Sequence, residues 1–398
     1  MEAAAALRLA LALSLGAAVS LGITRFAYGL LLPPMRDDLG WSYTLAGAMN
    51  TANALGYLLG ALAAPRLLQR VGAGRTMVAG AACATLFMAS CGFFADATAL
   101  LVQRLLAGVA SACVFVAGGW LAARLGTLRP GQSGLLLGLY YGGTGFGIVL
   151  SALLVPVALE AAAGRPHAWA WAWWALAAGC AAATVVLRWP ARVLAAAAGP
   201  AVAAAGGVPA ERIFAPRAFG WALAGYGCFG AGYIGYMTFV VALLRTQGVS
   251  PGAVTLFYAL LGAATVASSW VWARLLDRHR GGGALARLNA LLGLAALLPA
   301  VTGWWPALLA SGIVFGGVFL SVVASTTALV RHNLPAAQWA RGIGAFTVVF
   351  AAGQIAGPTV VGWVADGAGG LTRGLAVSAC TLWLGAALAW RQRPLSER

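Results

Sequence analysis

Apolar residues run through this chain in stretches of about 20, the length an α-helix needs to cross a bilayer, separated by short breaks carrying arginine, proline or glycine. Twelve such stretches are predicted, at 7–33, 43–65, 76–95, 97–123, 133–159, 167–189, 218–244, 251–273, 284–303, 304–330, 342–365 and 371–391. The run PAVTGWWP at 299–306 is read as the turn between the ninth and tenth, because proline disfavours helix in the residue before it and tryptophan favours the interface. The first stretch outlasts the short apolar core of a signal peptide and holds a charge, so it is read as a span. Composition agrees: of 398 residues 62% are hydrophobic and 9% charged, with a mean hydropathy of +0.87. That balance excludes a soluble globular domain and points to a multi-pass membrane protein in a lipid bilayer.

Sliding the chain against itself gives a match at an offset of 208 residues. RLLQR at 66–70 meets RLLDR at 274–278; Gly40 and Ser42 meet Gly248 and Ser250, and Gly108, Gly134 and Gly145 meet Gly316, Gly342 and Gly353. Each copy holds an even number of spans, so both enter the membrane from the same side. The expected organisation is a six-helix bundle over 1–189, a linker over 190–216 rich in Pro, Gly, Ala and Arg, and a second six-helix bundle over 217–398.

Net charge is +16, which in a soluble chain would suggest nucleic acid. The arginines have a simpler distribution. With the N-terminus inside, nineteen fall in inner loops and tails and four (Arg36, Arg165, Arg245, Arg373) in outer loops, which sets both termini in the cytoplasm and leaves no role for nucleic acid. The six cysteines lie singly within spans without a C-x-x-C pair, so neither a metal nor a cofactor is expected.

Four stretches resemble the major facilitator superfamily of transporters. ARLLDRHRGGG at 273–283 matches its loop of small, acidic and basic residues through Asp277, Arg278 and Arg280, while Gln69 stands opposite Asp277 in the first half. QRLLAG at 103–108 places Gly108 four residues after Arg104, as in the span-four pattern, and GQIAGPTVVGWVAD at 353–366 is similar to the glycine and proline pattern through Gly353, Gly357 and Pro358. YYGGTGFG at 140–147 has the glycines without the proline. GITRFAYGLLLP at 22–33, followed by NTANALGYLLGAL at 50–62, resembles the bacterial YbfB/YjiJ-like branch. The resemblance implies an all-α fold of twelve transmembrane helices in two pseudo-symmetric bundles, alternating access in the bacterial inner membrane, and a central cavity lined by spans one, four, seven and ten. The loop residues Asp277, Arg278 and Arg280, with Gly353, Gly357 and Pro358, are then gating or structural elements; tight helix crossing is the plainer reading of the glycines.

Arg25 is the residue that most needs a reason. It sits roughly 12 Å below Pro33, too deep for easy snorkelling, and a charge there faces a bundle interior or water. Two readings stand: a guanidinium fork for an anionic substrate, or a structural arginine bonded to carbonyls or to Asp37 or Asp38. For Arg104 the span-four resemblance implies helix coupling or gating, with substrate contact as the alternative. All nine acids and all three histidines lie at termini, loops or span ends. A cavity with arginines and no carboxylate attracts anions and disfavours cationic drugs. Tyr28, Asn53, Tyr141, Tyr233, Tyr236 and Gln354 are the candidate secondary contacts, each open also to an interhelical role. The expectation is a monomeric transporter, not an enzyme, moving a small organic anion such as a carboxylate; a coupling proton or counter-anion stays open as a partner. The alternative is an exporter of neutral or amphipathic compounds, drugs included, with Arg25 structural.

Overall fold

A computed structural model describes residues 2–196, 215–335 and 338–395, and among them no β-strand occurs. In lipid only a helix satisfies every backbone group within its own segment, so an apolar chain of this kind folds as rods. The rods are α1 (Ala3–Leu39), α2 (Tyr43–Val71), α3 (Ala73–Cys91), α4 (Ala97–Thr127), α5 (Ser133–Ala161), α6 (Trp169–Ala196), α7 (Gly220–Thr246), α8 (Pro251–Val271), α9 (Gly283–Val301), α10 (Trp305–Asn333), α11 (Trp339–Asp366) and α12 (Gly370–Trp390). Ten of them are long and apolar enough to cross a membrane. The other two, α2 and α3, lie where the second and third spans are expected; Asn50 and Asn53 lower the hydropathy of α2, and Arg75 that of α3. The turn at PAVTGWWP falls at Thr302–Trp304, between α9 and α10.

The repeat is visible in the punctuation. Gly40 closes α1 with φ +65° and Gly248 follows α7 with φ +80°, conformations that glycine adopts without penalty. Two residues later Ser42 and Ser250 cap α2 and α8, accepting from the amides of Leu45 and Ala253. It is visible in the packing too. A side chain on Gly108 would overlap the Asn53 carbonyl, and one on Gly316 would overlap the Leu261 carbonyl, the same crossing in each half. Close backbone approach through small residues is how helices associate without a hydrophobic drive. Helix α6 continues to Ala196, past the expected bundle boundary at 189, and most of the expected linker, 197–214, lies outside the described residues.

The two halves pack along α5 against α8, where Gly145 and Gly262 bring the backbones together, and along α2 against α11, and the hydrogen bonds between them gather where α1 finishes and α2 begins. Asp366, the last residue of α11, accepts from the amides of Tyr43 and Thr44 at 2.7 and 2.9 Å and from the Thr44 hydroxyl at 2.6 Å. A carboxylate of one half thus caps a helix of the other. One turn or two deeper, Thr51 donates to the Ile355 carbonyl and meets the Thr359 hydroxyl, Asn50 donates to the Thr238 hydroxyl, and Tyr258 donates to the Phe26 carbonyl. These hydrogen bonds between the halves all lie toward this end and away from Arg66 on α2. A cavity of about 200 Å³ lined by Arg36, Asp37, Tyr43 and Arg245 sits at the helix ends above this seal, remote from Arg25.

Candidate functional site

Helix α1 is not a uniform α-helix. Its middle, Ala18–Phe26, is wound as a π-helix, and the Thr24 hydroxyl donates to the carbonyl five residues back, Val19, at 2.6 Å. Its interruption leaves carbonyls in need of partners, and neighbouring helices supply them. Arg104 of α4 donates through Nη1 to the Thr24 carbonyl at 2.6 Å, Tyr258 of α8 serves Phe26, and Ser111 of α4 donates to the Ser20 carbonyl at 2.7 Å. Transporter sites are typically built at such broken helices near the middle of the membrane.

Arg104 has both terminal nitrogens bonded and only its Nε without a partner. Its second Nη donates to Asn50 Oδ1 at 3.0 Å, and its guanidinium lies 5.1 Å from the Tyr28 ring and 5.5 Å from the Trp173 ring. Asn50 passes the connection on to Thr238 of the other half. The geometry matches helix coupling: Arg104 holds the π-wound segment in place.

Arg25, one residue after Thr24, is in the opposite situation. It is 1% exposed, yet its Nε and Nη2 have no hydrogen-bond partner. Its nearest ring is that of Tyr57 on α2, 5.7 Å from Cζ. The acids that a structural reading would need are occupied elsewhere: Asp37 pairs with Arg36 at 3.2 Å, and Asp38 accepts from His167 and Trp169 at 2.5 Å. No acidic residue pairs with Arg25 among the described residues. An unpaired buried cation in a low dielectric is expensive, by several kcal/mol, which is why such groups mark ligand sites.

The other sequence-predicted residues divide. Tyr233, the repeat mate of Arg25 at the 208 offset, is buried on α7 within electrostatic reach of the Arg25 charge, and its hydroxyl accepts from Gln354 of α11. Tyr141 of α5 is 41% exposed although its ring touches Phe115 and Tyr140 inside the bundle, so it faces the open space beside them. Asn53 donates to the Arg104 carbonyl at 3.1 Å and leaves its own Oδ1 unbonded. Tyr28 and Tyr236 are not brought to Arg25: Tyr28 donates to the Ala46 carbonyl, and Tyr236 is bonded to Ser311. Both belong to helix packing here.

Of the loop residues, Asp277 and Arg278 lie in a short helix, Ala273–Arg278, and are exposed; Asp277 forms no ion pair among the described residues. The Arg280 carbonyl accepts from Asn333 at 2.7 Å, tying the loop to α10. Gly353 and Gly357 cross α7 against the carbonyls of Gly227 and Ala231, while the Pro358 carbonyl lies so close to α2 that only Gly47 fits there. Pro358 is therefore part of the seal between halves.

Tyr57 was absent from the candidates read off the sequence. A signal existed, since Asn50, Asn53 and Tyr57 recur at helical spacing on one face of α2.

The family model described as "Uncharacterised MFS-type transporter YbfB" matches residues 17–390. The chain belongs to this major facilitator family. No curated protein sequence matches it significantly. Solved structures similar to the transporter include a bacterial homologue of the human lysosomal transporter Spinster in an inward-facing, unoccupied conformation, at 16% identity and TM-score 0.70, covering 98% of this chain and 97% of that one. The nucleoside transporter NupG is similar at 14% identity and TM-score 0.68, covering 97% of each chain. FucP in an outward conformation is similar at 16% identity and TM-score 0.61, covering 96% of this chain and 98% of that one. At such identities the likeness establishes the fold of a carrier, and the family is one of transporters, not enzymes.

Proposed function

We propose that this transporter moves a small organic anion, a carboxylate, across the bacterial inner membrane by alternating access, with Arg25 as the group that holds the negative charge. The observation that carries the reading is the state of Arg25: a buried guanidinium with two of its nitrogens unbonded. A carboxylate accepts two parallel hydrogen bonds from such a fork and neutralises it. Tyr57, Tyr233 and Gln354 supply polar contacts around it.

The arginine distribution puts the Asp366 end outside, so the conformation described has its outer path sealed by α2 against α11 and α1 against α7 and α8. Release of the Asp366 cap and of the Thr51, Asn50 and Tyr258 bonds is the step that exposes Arg25 to the other side. Uniport, anion exchange and proton symport are all compatible with a site that holds no acid of its own, and a monomer suffices for the mechanism.

A second reading, export of neutral or amphipathic compounds, draws on the aromatic rings around the site. The two part company at Arg25. Uptake and export are to be measured in proteoliposomes with mono- and dicarboxylates, phosphate esters and cationic drugs, comparing the wild type with Arg25→Ala. Loss of carboxylate movement in the variant is expected; equal movement of every anion by both proteins would defeat the anion reading and leave the carrier architecture standing.

A further inference from the structure

Tyr233, within electrostatic reach of Arg25, belongs to a set of rings in the second half with a common orientation. Tyr226, Phe229 and Tyr233 follow one face of α7 at spacings of three and four, and Phe350 of α11 and Phe319 of α10 join them. Phe229 and Tyr233 have centroids 4.7 Å apart with planes 20° from parallel; Tyr233 and Phe350 are 5.6 Å and 16° apart, and Tyr233 and Phe319 are 6.0 Å and 10° apart. Tyr226 lies 5.0 Å from Phe350 at 20°. Edge-on pairs are equally acceptable to aromatic rings, and the chain uses them elsewhere, as at Phe26 and Phe319, 86° apart. A shared plane direction is therefore a specific feature of this wall.

The first half presents rings opposite it. Tyr57 is half-buried and 6.4 Å from Phe115, which in turn is 5.7 Å from the half-exposed Tyr141. Tyr57 and Tyr233 are within electrostatic reach of each other and of Arg25, yet their rings are not in contact. Each half thus brings one ring of an aromatic cluster, Tyr57 or Tyr233, within reach of a buried cation with unbonded nitrogens.

Resting on the anion reading above, we infer that the cargo is a planar aryl carboxylate, its carboxylate on Arg25 and its ring laid against the Tyr233 and Phe350 face. A flat ring extends a parallel stack with offset contacts, which a puckered ring of equal size does not. Tyr233 does double duty, since its hydroxyl is fixed by Gln354 while its ring forms the wall. Specificity for the aryl group then lies in the second half and charge recognition in the first.

The test is titration calorimetry on the full chain in lipid nanodiscs with benzoate, cyclohexanecarboxylate and benzamide as probes. Wild type is expected to bind benzoate about 3- to 10-fold more tightly than cyclohexanecarboxylate. In Tyr233→Leu that ratio falls to about one while the preference for benzoate over benzamide survives; Tyr233→Phe keeps both, and Phe350→Leu serves as a second variant if Tyr233→Leu is not monodisperse. Benzoate and cyclohexanecarboxylate binding equally, benzoate not binding, or an undiminished aryl preference in the folded leucine variants would overturn the inference. Benzamide matching benzoate in the wild type would instead overturn the anion reading on which it rests.

Discussion

Arg104 and Arg25 are both 1% exposed, and they act on adjacent turns of the same bundle. One has each Nη on a protein acceptor, its face against two rings and only Nε unbonded; the other has both Nε and Nη2 unbonded and no acceptor for its guanidinium among the described residues. A protein that needed only to fill space would treat its buried charges alike. On the function proposed above, the difference separates a strut, which bonds the broken helix, from a group whose nitrogens a cargo would complete. Recognising an intramembrane arginine is therefore not enough to assign it a function; its hydrogen-bond inventory decides.

Breaking the strut should have the largest effect. Arg104→Ala leaves the Thr24 carbonyl and Asn50 Oδ1 without donors and empties a packed volume, so the unfolding free energy in mixed micelles is expected to fall by about 2–4 kcal/mol. Arg25→Ala should lower stability by less than about 1 kcal/mol, or raise it, because it removes an unpaired buried charge; carboxylate affinity should drop about 10- to 100-fold, the range expected for hydrogen bonds to a charged group. A stability loss at Arg25 equal to that at Arg104 would erase the distinction. Asp366→Asn weakens the cap on α2, and hydrogen exchange at the Tyr43 and Thr44 amides should quicken by about 5-fold. Smallest of all, Tyr57→Leu removes a ring 5.7 Å from the Arg25 guanidinium and should change carboxylate affinity only about 2- to 5-fold, with Tyr57→Phe nearly silent.

The architecture was readable because lipid leaves one solution for an apolar chain and because small residues had to recur where backbones touch: the match of Gly108 to Gly316 in sequence is the same helix crossing in space. The candidate site's geometry was readable in part. Arg25 and Tyr233 stand at one offset of the repeat, and the structure brings them within electrostatic reach. Tyr28, a candidate contact in the sequence, lies 5.1 Å from the Arg104 guanidinium, just beyond the π-wound stretch Ala18–Phe26. Nothing in nine ordinary residues announces such winding; it depends on carbonyl partners supplied by α4 and α8, which are distant in sequence. Tyr57 escaped notice for a related reason, since its importance comes from facing Arg25 across two helices.

The central claim is that the Arg25 guanidinium, free in the unloaded protein, reads the negative charge of the cargo. The most direct measurement is the ratio of benzoate to benzamide affinity in the wild type and in Arg25→Gln, which keeps much of the side-chain volume and removes the charge. A ratio of at least about 10 in the wild type that falls to about one in the variant is predicted. A ratio that is unchanged by the substitution, or that is already one in the wild type, would contradict it.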